Sequence, residues 1–385
     1  MQTQTALQGL LVADFSRILA GPYATMLLAD LGADVIKVER AGSGDDTRGW
    51  GPPFAGTDST YFLAANRNKR SLELDLAQAE GRHSALALAA RADVVIENFR
   101  PGALSKLGLG YEDVRRVNER VIYCTISGFG LEAGANLAGY DLLAQSVGGL
   151  MSITGPEPGV PTKVGVALVD VITGLHAAVG ILAAVQHRER TGEGQRVTVN
   201  LLSSLLSALT NQASGYVSGG VVPDIMGNRH PSIAPYETFP TEDRPLALAV
   251  GNDRQFRSLC AVLGRDDLAG DPRFGTNTSR VAHREALFDE LASAFKTSSA
   301  DAWFEQLTRA GVPCGPINNI AEAFALAEQL GLQPIVTMET DSGSTVRQVA
   351  NPIGLTATPP TYRRTPPRLG EDTESILDWI ESTGH

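Results

Sequence analysis

The sequence lacks several features that mark large classes of protein. Its three cysteines, Cys124, Cys260 and Cys314, are too few and too far apart for a disulfide framework or a paired-thiol zinc or redox motif. No run of about 18 uninterrupted apolar residues occurs, and the first residues show no basic segment followed by an apolar one. We therefore expect a protein of the reducing cytoplasm that neither spans a membrane nor carries an export signal.

Positive charge is also scarce. Lysine and arginine number 32 against 43 aspartates and glutamates, so the net charge is -11, which argues against general nucleic-acid binding. The first predicted strand runs into DFSRILAGP, not GxGxxG, and the chain has no P-loop, HExxH or GxSxG motif. These absences weaken any NAD, ATP, metal or serine-hydrolase hypothesis, and an anionic ligand would need a local cluster of cations.

The first third of the chain alternates short apolar runs with helical patterns, which indicates βαβ units and a mainly parallel sheet. Helices are predicted after Pro22, over 78–91 and after Tyr111. The predicted strands are GLLVADF (9–15), DVIKVE (34–39), SLELDL (71–76), DVVIENF (93–99) and RVIYCTISGFG (120–130). The fold class is therefore α/β, doubly wound, with ligands expected beyond the carboxyl ends of the strands.

The rest of the chain predicts a second, smaller α+β domain. A long helix begins near Val166, followed by a strand over 195–200 and a helix over 201–217. Beyond it come a hairpin-like pair in YETFPTEDRPLALAVG and amphipathic helices over 254–310. We predict a large domain of residues 1–218, completed by 340–385, and a small domain of residues 219–339.

Asp170 stands alone as a carboxylate at the start of the long apolar helix. Thr173 and Gly174 follow on the same helix face, and a glycine there would leave room for a substrate. The positive end of the helix dipole would keep the carboxylate ionised, and an ionised carboxylate is a nucleophile. Spacing alone leaves open a helix cap or a buried structural aspartate.

A basic cluster precedes the third predicted strand. Arg67, Lys69 and Arg70 lie in NRNKRSLELDL, and Lys37 and Arg40 lie in and directly after the second predicted strand. In so acidic a chain, these cations could hold phosphates. A solvated turn explains the local pattern equally well.

Several segments together resemble the class III CoA-transferases, the family of formyl-CoA transferase and carnitine CoA-transferase. The resemblance continues through NRHPSIAPYETF, VGNDRQF, DPRF and GVPCGPINN, and looks most like the branch that acts on succinate and glutarate. The segments that carry it nearer the N-terminus are LLVADFSRILAGPYATMLLADLGADVIKVERAGSGDDTRGWGPPF, ADVVIENFRPGALSKLGLGYEDV, GYDLLAQSVGGLM and VALVDVITGLHAAVGILAAVQHRERTGEGQRV.

The resemblance implies roles for particular residues. Asp170 matches the nucleophile that forms a mixed anhydride and then an aspartyl-CoA thioester. Gly251 and Asn252 match a mobile loop over the intermediate, and Trp50 and Tyr61 match aromatic residues of the substrate pocket. The matched CoA contacts are Ile18, Leu19, Arg40, Leu74, Asn98, Phe99, Lys106, Ala138, Gly139 and Tyr140. CoA would enter as a substrate, with no permanently bound cofactor.

Two departures bear on specificity. Leu19 replaces a glutamine of formyl-CoA transferase, which argues against formate and oxalate. Tyr140 replaces the catalytic histidine of the related racemases, and a phenol is a poor base at neutral pH. An acyl-CoA racemase or isomerase and a non-catalytic CoA-binding protein remain the alternatives to a transferase.

By resemblance, a Rossmann-like large domain and a small domain would form an interlocked homodimer. The expected acceptor is a dicarboxylate, with succinyl-CoA as the donor. Its second carboxylate would need a cationic partner, for which Arg17, Arg48 and Arg229 are candidates.

Overall fold

The computed structural model describes residues 5–340, 343 and 345–382. The first four and the last three residues of the predicted large domain therefore lie outside the described residues. The chain divides into two compact units. The first contains residues up to 150, residues 163–222 and the residues from 333 onward, and the second contains residues 151–162 and 223–332.

The first unit contains a parallel sheet in the order β5-β2-β1-β6-β7-β8. The order reverses between β1 and β6, which is the switch point where doubly wound sheets bind ligands. The strands of this unit are β1 (Leu11–Asp14), β2 (Asp34–Arg40), β3 (Phe54–Ala55), β4 (Asp58–Ser59), β5 (Lys69–Leu74), β6 (Val94–Glu97), β7 (Ile122–Ser127), β8 (Gln195–Asn200), β12 (Ile335–Glu339) and β13 (Thr345–Val349). The predicted α/β class is confirmed.

Helices cover both faces of this sheet. Successive side chains of its strands point to opposite faces and so enter two cores. One core is shared with α1 and α7, and the other with α3, α5 and α16. The helices are α1 (Ala20–Asp30), α2 (Thr60–Leu63), α3 (Ala79–Arg91), α4 (Ala103–Lys106), α5 (Tyr111–Val117), α6 (Asp141–Val147), α7 (Leu168–Thr191), α8 (Leu201–Ala208), α9 (Thr210–Gly219) and α16 (Thr373–Ser382). The predicted helix over 201–217 is thus divided, with Thr210 at a φ of 41°.

Gly174 of α7 does not face an open substrate path. A Cβ atom there would lie 2.6 Å from the carbonyl oxygen of Ala20 and 3.3 Å from the ring of Tyr23. The glycine therefore lets α7 approach α1 closely, and the prediction that it leaves room for a substrate is wrong. Because α7 is packed in this way, its first turn has a defined position beside the sheet.

In the described part of the chain, α7 is the one helix long and apolar enough to cross a membrane by length and composition. The core helix of a soluble protein passes the same test. Here Ala177, Ile181 and Ala184 of α7 are buried in the core that it shares with α1 and the sheet.

The extended tail returns to the sheet before α16. Asn68 donates its N–H to the carbonyl oxygen of Arg364 at 2.9 Å, and its side-chain oxygen accepts the N–H groups of Arg363 and Arg364. Ile376 and Ile380 of α16 then complete one core of the first unit. The C-terminal residues therefore belong to the same unit as the sheet.

The second unit has an antiparallel sheet in the order β11-β10-β9 and a separate aromatic core that includes Phe239, Phe256 and Trp303. Its elements are β9 (Tyr236–Phe239), β10 (Leu246–Ala249), β11 (Cys314–Pro316), α10 (Asp253–Val262), α11 (Asp266–Gly270), α12 (Asn277–Ala282), α13 (Arg284–Phe295), α14 (Ala300–Arg309) and α15 (Ile320–Gln329). Residues 151–162, assigned from sequence to the large domain, group with this unit. That segment has little regular structure, so periodicity does not reveal where it packs.

Candidate active site

A cavity of about 270 Å³ lies at the carboxyl edge of the parallel sheet. It is formed by the ends of β2 and β5 and the segments after β1 and β6, on both sides of the switch point. Its lining includes Phe15, Arg17, Arg40, Leu74, Phe99 and Leu107. Three of the predicted CoA contacts, Arg40, Leu74 and Phe99, are thereby brought together.

The loop after β1 is held from two sides. Asn98 accepts the N–H of Arg17 at 2.8 Å and donates its amide to the carbonyl oxygen of Arg17 at 2.7 Å. Asp45 accepts the N–H of Ile18 at 3.2 Å. Ile18 has a φ of 70°, a left-handed conformation that is costly for a β-branched residue and needs such support.

A buried ion pair anchors Asp45. Lys37 donates to Asp45 at 2.9 Å and to the carbonyl oxygen of Ser16 at 2.9 Å. Burial alone would raise the pKa of Asp45, but Lys37 and the N–H and hydroxyl groups of Thr47 lower it to about 2. Asp45 is therefore ionised at neutral pH and holds Ile18 through a charged acceptor.

A second buried ion pair lies beside the first. Lys69 donates to Asp14 at 3.1 Å and to Asn66 at 2.9 Å, and Thr25 donates to Asp14 at 2.6 Å. Burial lowers the pKa of Lys69 to about 8, although the charge of Asp14 opposes this shift. We call Asp14, Lys37, Asp45 and Lys69 the ionic layer.

Two cations of the basic cluster predicted at residues 67–70, Arg67 and Lys69, are buried in ion pairs and do not lie in a solvated turn. Arg67 pairs with Asp30 at 2.6 Å, and both side chains are buried, as are Lys69 and Asp14. Arg70 of β5 pairs with Asp34, the first residue of the neighbouring strand β2. Arg67 and Lys69 therefore link segments of the chain that are distant in sequence.

Arg17 and Arg40 share a carboxylate at the cavity. Asp46 accepts from Arg17 at 3.1 Å and from Arg40 at 3.3 Å. The side chain of Arg40 remains 61% exposed, so it can still meet an anion. Lys106 is exposed at the end of α4, next to the cavity residue Leu107, but does not line the cavity itself.

The three arginines considered for a second carboxylate differ in position. Arg48 donates to Glu39 at 2.6 Å and lies over the ring of Phe62. Arg229, in the second unit, is paired with Glu237 and Glu285. Arg17 lines the cavity, 5.2 Å from the centre of the Phe99 ring. The assignment of one of them to a substrate carboxylate stays a prediction.

Asp170 lies in the first turn of α7 and is partly buried. Burial and the negative charge of Asp141 raise its pKa to about 7. Desolvation and this like charge oppose the expected effect of the helix dipole, which favours the ionised carboxylate. A carboxyl group with this pKa exists in both protonation states near neutral pH.

Two aromatic side chains lie in this part of the first unit. The rings of Trp50 and Tyr61 meet edge to face, with centres 5.2 Å apart. Burial and the charge of Asp170 raise the pKa of Tyr61 above its usual value of 10. Tyr61 is therefore a neutral phenol at neutral pH and is electrostatically coupled to Asp170.

The other predicted contacts lie at element ends. Leu19 immediately precedes α1, and Tyr140 immediately precedes α6 with 59% of its surface exposed. A Cβ atom on Gly139 would lie 2.8 Å from the Cα atom of Gly128, so the segment that includes Ala138 packs closely on the loop after β7. Leu19 and the segment 138–140 therefore each lead directly into a helix.

Gly251 and Asn252 belong to the second unit. Asn252 caps α10 by accepting the N–H of Gln255 at 3.0 Å, and Gly251 donates its N–H to the side chain of Gln255 at 2.9 Å. Both residues are exposed. Their predicted role at the intermediate stays a prediction.

Sequence reasoning missed two aspartates of this site, Asp45 and Asp141. Asp45 accepts the N–H of Ile18, and Asp141 accepts the N–H groups of Val169 and Asp170. In both cases the partner is distant in sequence. The one local signal was an acidic residue at the first position of a short apolar helix, in GYDLLAQ. Among the described residues, no group of three or more histidine, cysteine or acidic side chains is arranged to hold a metal ion.

The fold and site together define an α/β protein with a cavity at the switch point of its parallel sheet and a carboxyl group of raised pKa in the first turn of α7. The sequence profile of CoA-transferase family III matches residues 7–373, and the chain belongs to that family. It is therefore a CoA-transferase that uses CoA thioesters as substrates.

Named relatives cover nearly the whole chain. A succinate–glutarate CoA-transferase of Agrobacterium fabrum is 44% identical, over 98% of this chain and 96% of its own. A human succinyl-CoA:glutarate CoA-transferase is 41% identical, over 96% of this chain and 85% of its own. The crystal structure of a CAIB/BAIF family protein from Brucella suis is 42% identical, with a TM-score of 0.87, and covers 98% of this chain and 99% of that one.

Proposed function

We propose that this cytoplasmic enzyme moves CoA from succinyl-CoA, or a similar acyl-CoA, to a dicarboxylic acid through a covalent intermediate on Asp170. The observation that carries the proposal is the Asp170 carboxyl group, partly buried beside Asp141 and with a raised pKa. The names of the two transferases at 41% and 44% identity support the substrate class. Three unpaired cysteines agree with a reducing compartment, and cell fractionation tests the location.

The reaction would proceed by exchange at carbonyl carbons. A carboxylate oxygen of Asp170 attacks the thioester, the C–S bond breaks, and CoA thiolate leaves a mixed anhydride. The thiolate attacks the aspartyl carbonyl, which releases the donor acid and leaves an aspartyl-CoA thioester. The acceptor carboxylate attacks that thioester, and the released thiolate then takes the acceptor acyl group, which frees Asp170. No proton is gained or lost overall.

The CoA nucleotide would occupy the cavity at the switch point, and CoA would not stay bound between turnovers. Arg40 supplies a partly exposed cation for a phosphate, and Leu74 and Phe99 supply apolar walls. Ile18 and Leu19 belong to the loop after β1, Asn98 follows β6 and bonds that loop, and Lys106 is next to the cavity residue Leu107. We assign Ala138, Gly139 and Tyr140 to the CoA path toward Asp170, and Trp50 and Tyr61 to the substrate pocket.

The acceptor is tested by a donor-by-acceptor panel. Succinyl-CoA is offered with glutarate, acetate, butyrate, formate or oxalate, and the CoA thioesters are measured by mass spectrometry. We expect kcat/KM for glutarate to exceed that for the monocarboxylates by at least about tenfold, because a paired second carboxylate adds binding energy. Equal use of acetate or butyrate would contradict the dicarboxylate proposal.

The same panel distinguishes transfer from racemisation. Run in deuterium oxide with a 2-methylacyl-CoA, a racemase would place deuterium on the α-carbon, whereas a transferase would move CoA to the added acid. We expect CoA transfer without deuterium uptake. Deuterium uptake without a new thioester would overturn the transferase proposal in favour of the racemase.

We also propose that the protein is a homodimer. Large apolar side chains of the first unit are exposed on α6, α7 and α9, including Val147, Val179 and Val217, which is 79% exposed. An apolar surface of this kind marks an interaction site. Light scattering should give twice the chain mass of 40.7 kDa at micromolar concentration, and a mass of 40.7 kDa would contradict the proposal.

A further inference from the structure

Helix α7 begins without a cap of its own. Its N-cap residue, Ala167, has no side-chain acceptor, although the first N–H groups of a helix lack partners within the helix. The carboxylate of Asp141 supplies the acceptor from α6. One of its oxygens, Oδ1, accepts the N–H of Val169 at 2.8 Å and the N–H of Asp170 at 3.2 Å.

Asp141 is itself held in place. Its other oxygen, Oδ2, accepts from the side-chain amide of Gln145 at 2.6 Å, and Gln145 is fully buried. The amide oxygen of Gln145 accepts the N–H of Val164 at 2.9 Å, three residues before the N-cap of α7. Asp141 and Gln145 therefore tie α6 both to the first turn of α7 and to the segment that leads into it.

We propose that Asp141 is a positioning residue for Asp170: the Asp141 carboxylate fixes the first turn of α7 and places a negative charge beside the nucleophile. The inference rests on the proposed role of Asp170. It assigns to Asp141 two separable effects, one geometric through its acceptor oxygens and one electrostatic through its charge.

The groups that face Asp170 support the electrostatic effect. Tyr61 approaches from α2 as a neutral phenol, and Asp141 approaches from α6 as a carboxylate. Further along, α1 meets α7 through Tyr23 at Gly174, and α8 meets it through Ser204, which bonds His176 at 3.1 Å. Burial and Asp141 are thus the sources of the raised pKa of Asp170.

A more basic carboxylate has a chemical advantage in this reaction. Nucleophilic reactivity rises with basicity, so an ionised Asp170 of raised pKa attacks a thioester more readily than an ordinary aspartate. The disadvantage is that part of the enzyme is protonated and inactive near pH 7. The rate should therefore rise with pH through the pKa of Asp170.

The test separates charge from capping. Asp141→Asn keeps an acceptor oxygen but removes the charge, and Gln145→Leu keeps the charge but loosens its support. We expect Asp141→Asn to move the acid limb of the kcat profile down by about one pH unit. Gln145→Leu should lower kcat without moving that limb. Asp141→Ser, a second uncharged capping residue, guards against a folding defect in the asparagine variant.

A direct titration keeps this inference distinct from the function proposed above. Carbon-13 NMR of the aspartate carboxyls, with the Asp170 signal assigned through Asp170→Asn, measures the titration without any turnover. The midpoint should fall by about one unit in Asp141→Asn and in Asp141→Ser. An unchanged midpoint in both variants would overturn the inference, whether or not Asp170 proves to be the nucleophile.

Discussion

Asp170→Asn is expected to lower kcat by at least about 1,000-fold while CoA binding changes little, because an amide cannot form the acyl intermediate. The side chain keeps its shape, and the N–H of residue 170 still donates to Asp141. Steady-state kinetics and calorimetric titration with CoA measure the two effects separately. Asp289→Asn, at an exposed helical aspartate of the second unit, is the matched control and should keep full activity.

Chemical trapping locates the intermediate in the unmodified enzyme. Incubation with acyl-CoA and then hydroxylamine should convert the side chain of Asp170 into a hydroxamate, which peptide mapping detects. Normal turnover by Asp170→Asn, or a label on another residue alone, would refute covalent catalysis at this position.

The same asparagine variant should be more stable than the parent above pH 7. The pKa of Asp170 is about 7 when folded, against 3.8 as the ordinary value, so the folded state holds a proton that the unfolded chain loses. The contribution of Asp170 to stability is therefore greatest below about pH 4 and is lost as the pH rises to 7. After discounting for solvent screening, we expect Asp170→Asn to gain about 2 kcal/mol at pH 8 and almost nothing at pH 4, as measured by denaturant unfolding.

Arg40→Glu is expected to raise KM for the acyl-CoA by at least about tenfold with little change in kcat. A phosphate contact far from the thioester contributes equally to the ground and transition states, so its loss weakens binding alone. Arg40 lines the cavity and its side chain is 61% exposed, whereas Lys106 is exposed outside the lining. Lys106→Glu is therefore the matched charge reversal and should have the smaller effect.

Salt adds a second readout for Arg40. The KM of the parent should increase with ionic strength, and the KM of Arg40→Glu should depend on salt less steeply because one attractive charge is gone. No effect from Arg40→Glu would show that the phosphates bind elsewhere, and an equally large effect of Lys106→Glu would contradict the greater role given to Arg40.

Much of the fold could be predicted from local patterns. Period-two and continuous apolar runs indicated the parallel strands, and the spacing of apolar residues indicated α7, because burial on a sheet or helix face imposes those periods. Residues 151–162 could not be assigned in this way. Their grouping with the second unit depends on contacts that leave no periodic trace in the sequence.

The site was less predictable, because its charges act through distant partners. Lys69 appeared to belong to an exposed basic turn, yet Asp14, 55 residues earlier, pairs with it in the interior. Asp141 accepts the N–H of Val169, although the two residues are 28 positions apart in the sequence. Asp170 itself could be selected from its position, but its raised pKa depends on Asp141 and on burial, which appear only in the folded chain.

The ionic layer limits how this enzyme could be redesigned for a different thioester carrier. Asp14, Lys37, Asp45 and Lys69 are buried in pairs, so replacing one member strands an opposite charge at a cost of about 3–5 kcal/mol. A loss of that size approaches the whole stability of many domains. A library aimed at a new carrier would therefore hold these four positions constant and vary the apolar walls at Leu74, Phe99 and Leu107, where size and shape can change without isolating a charge.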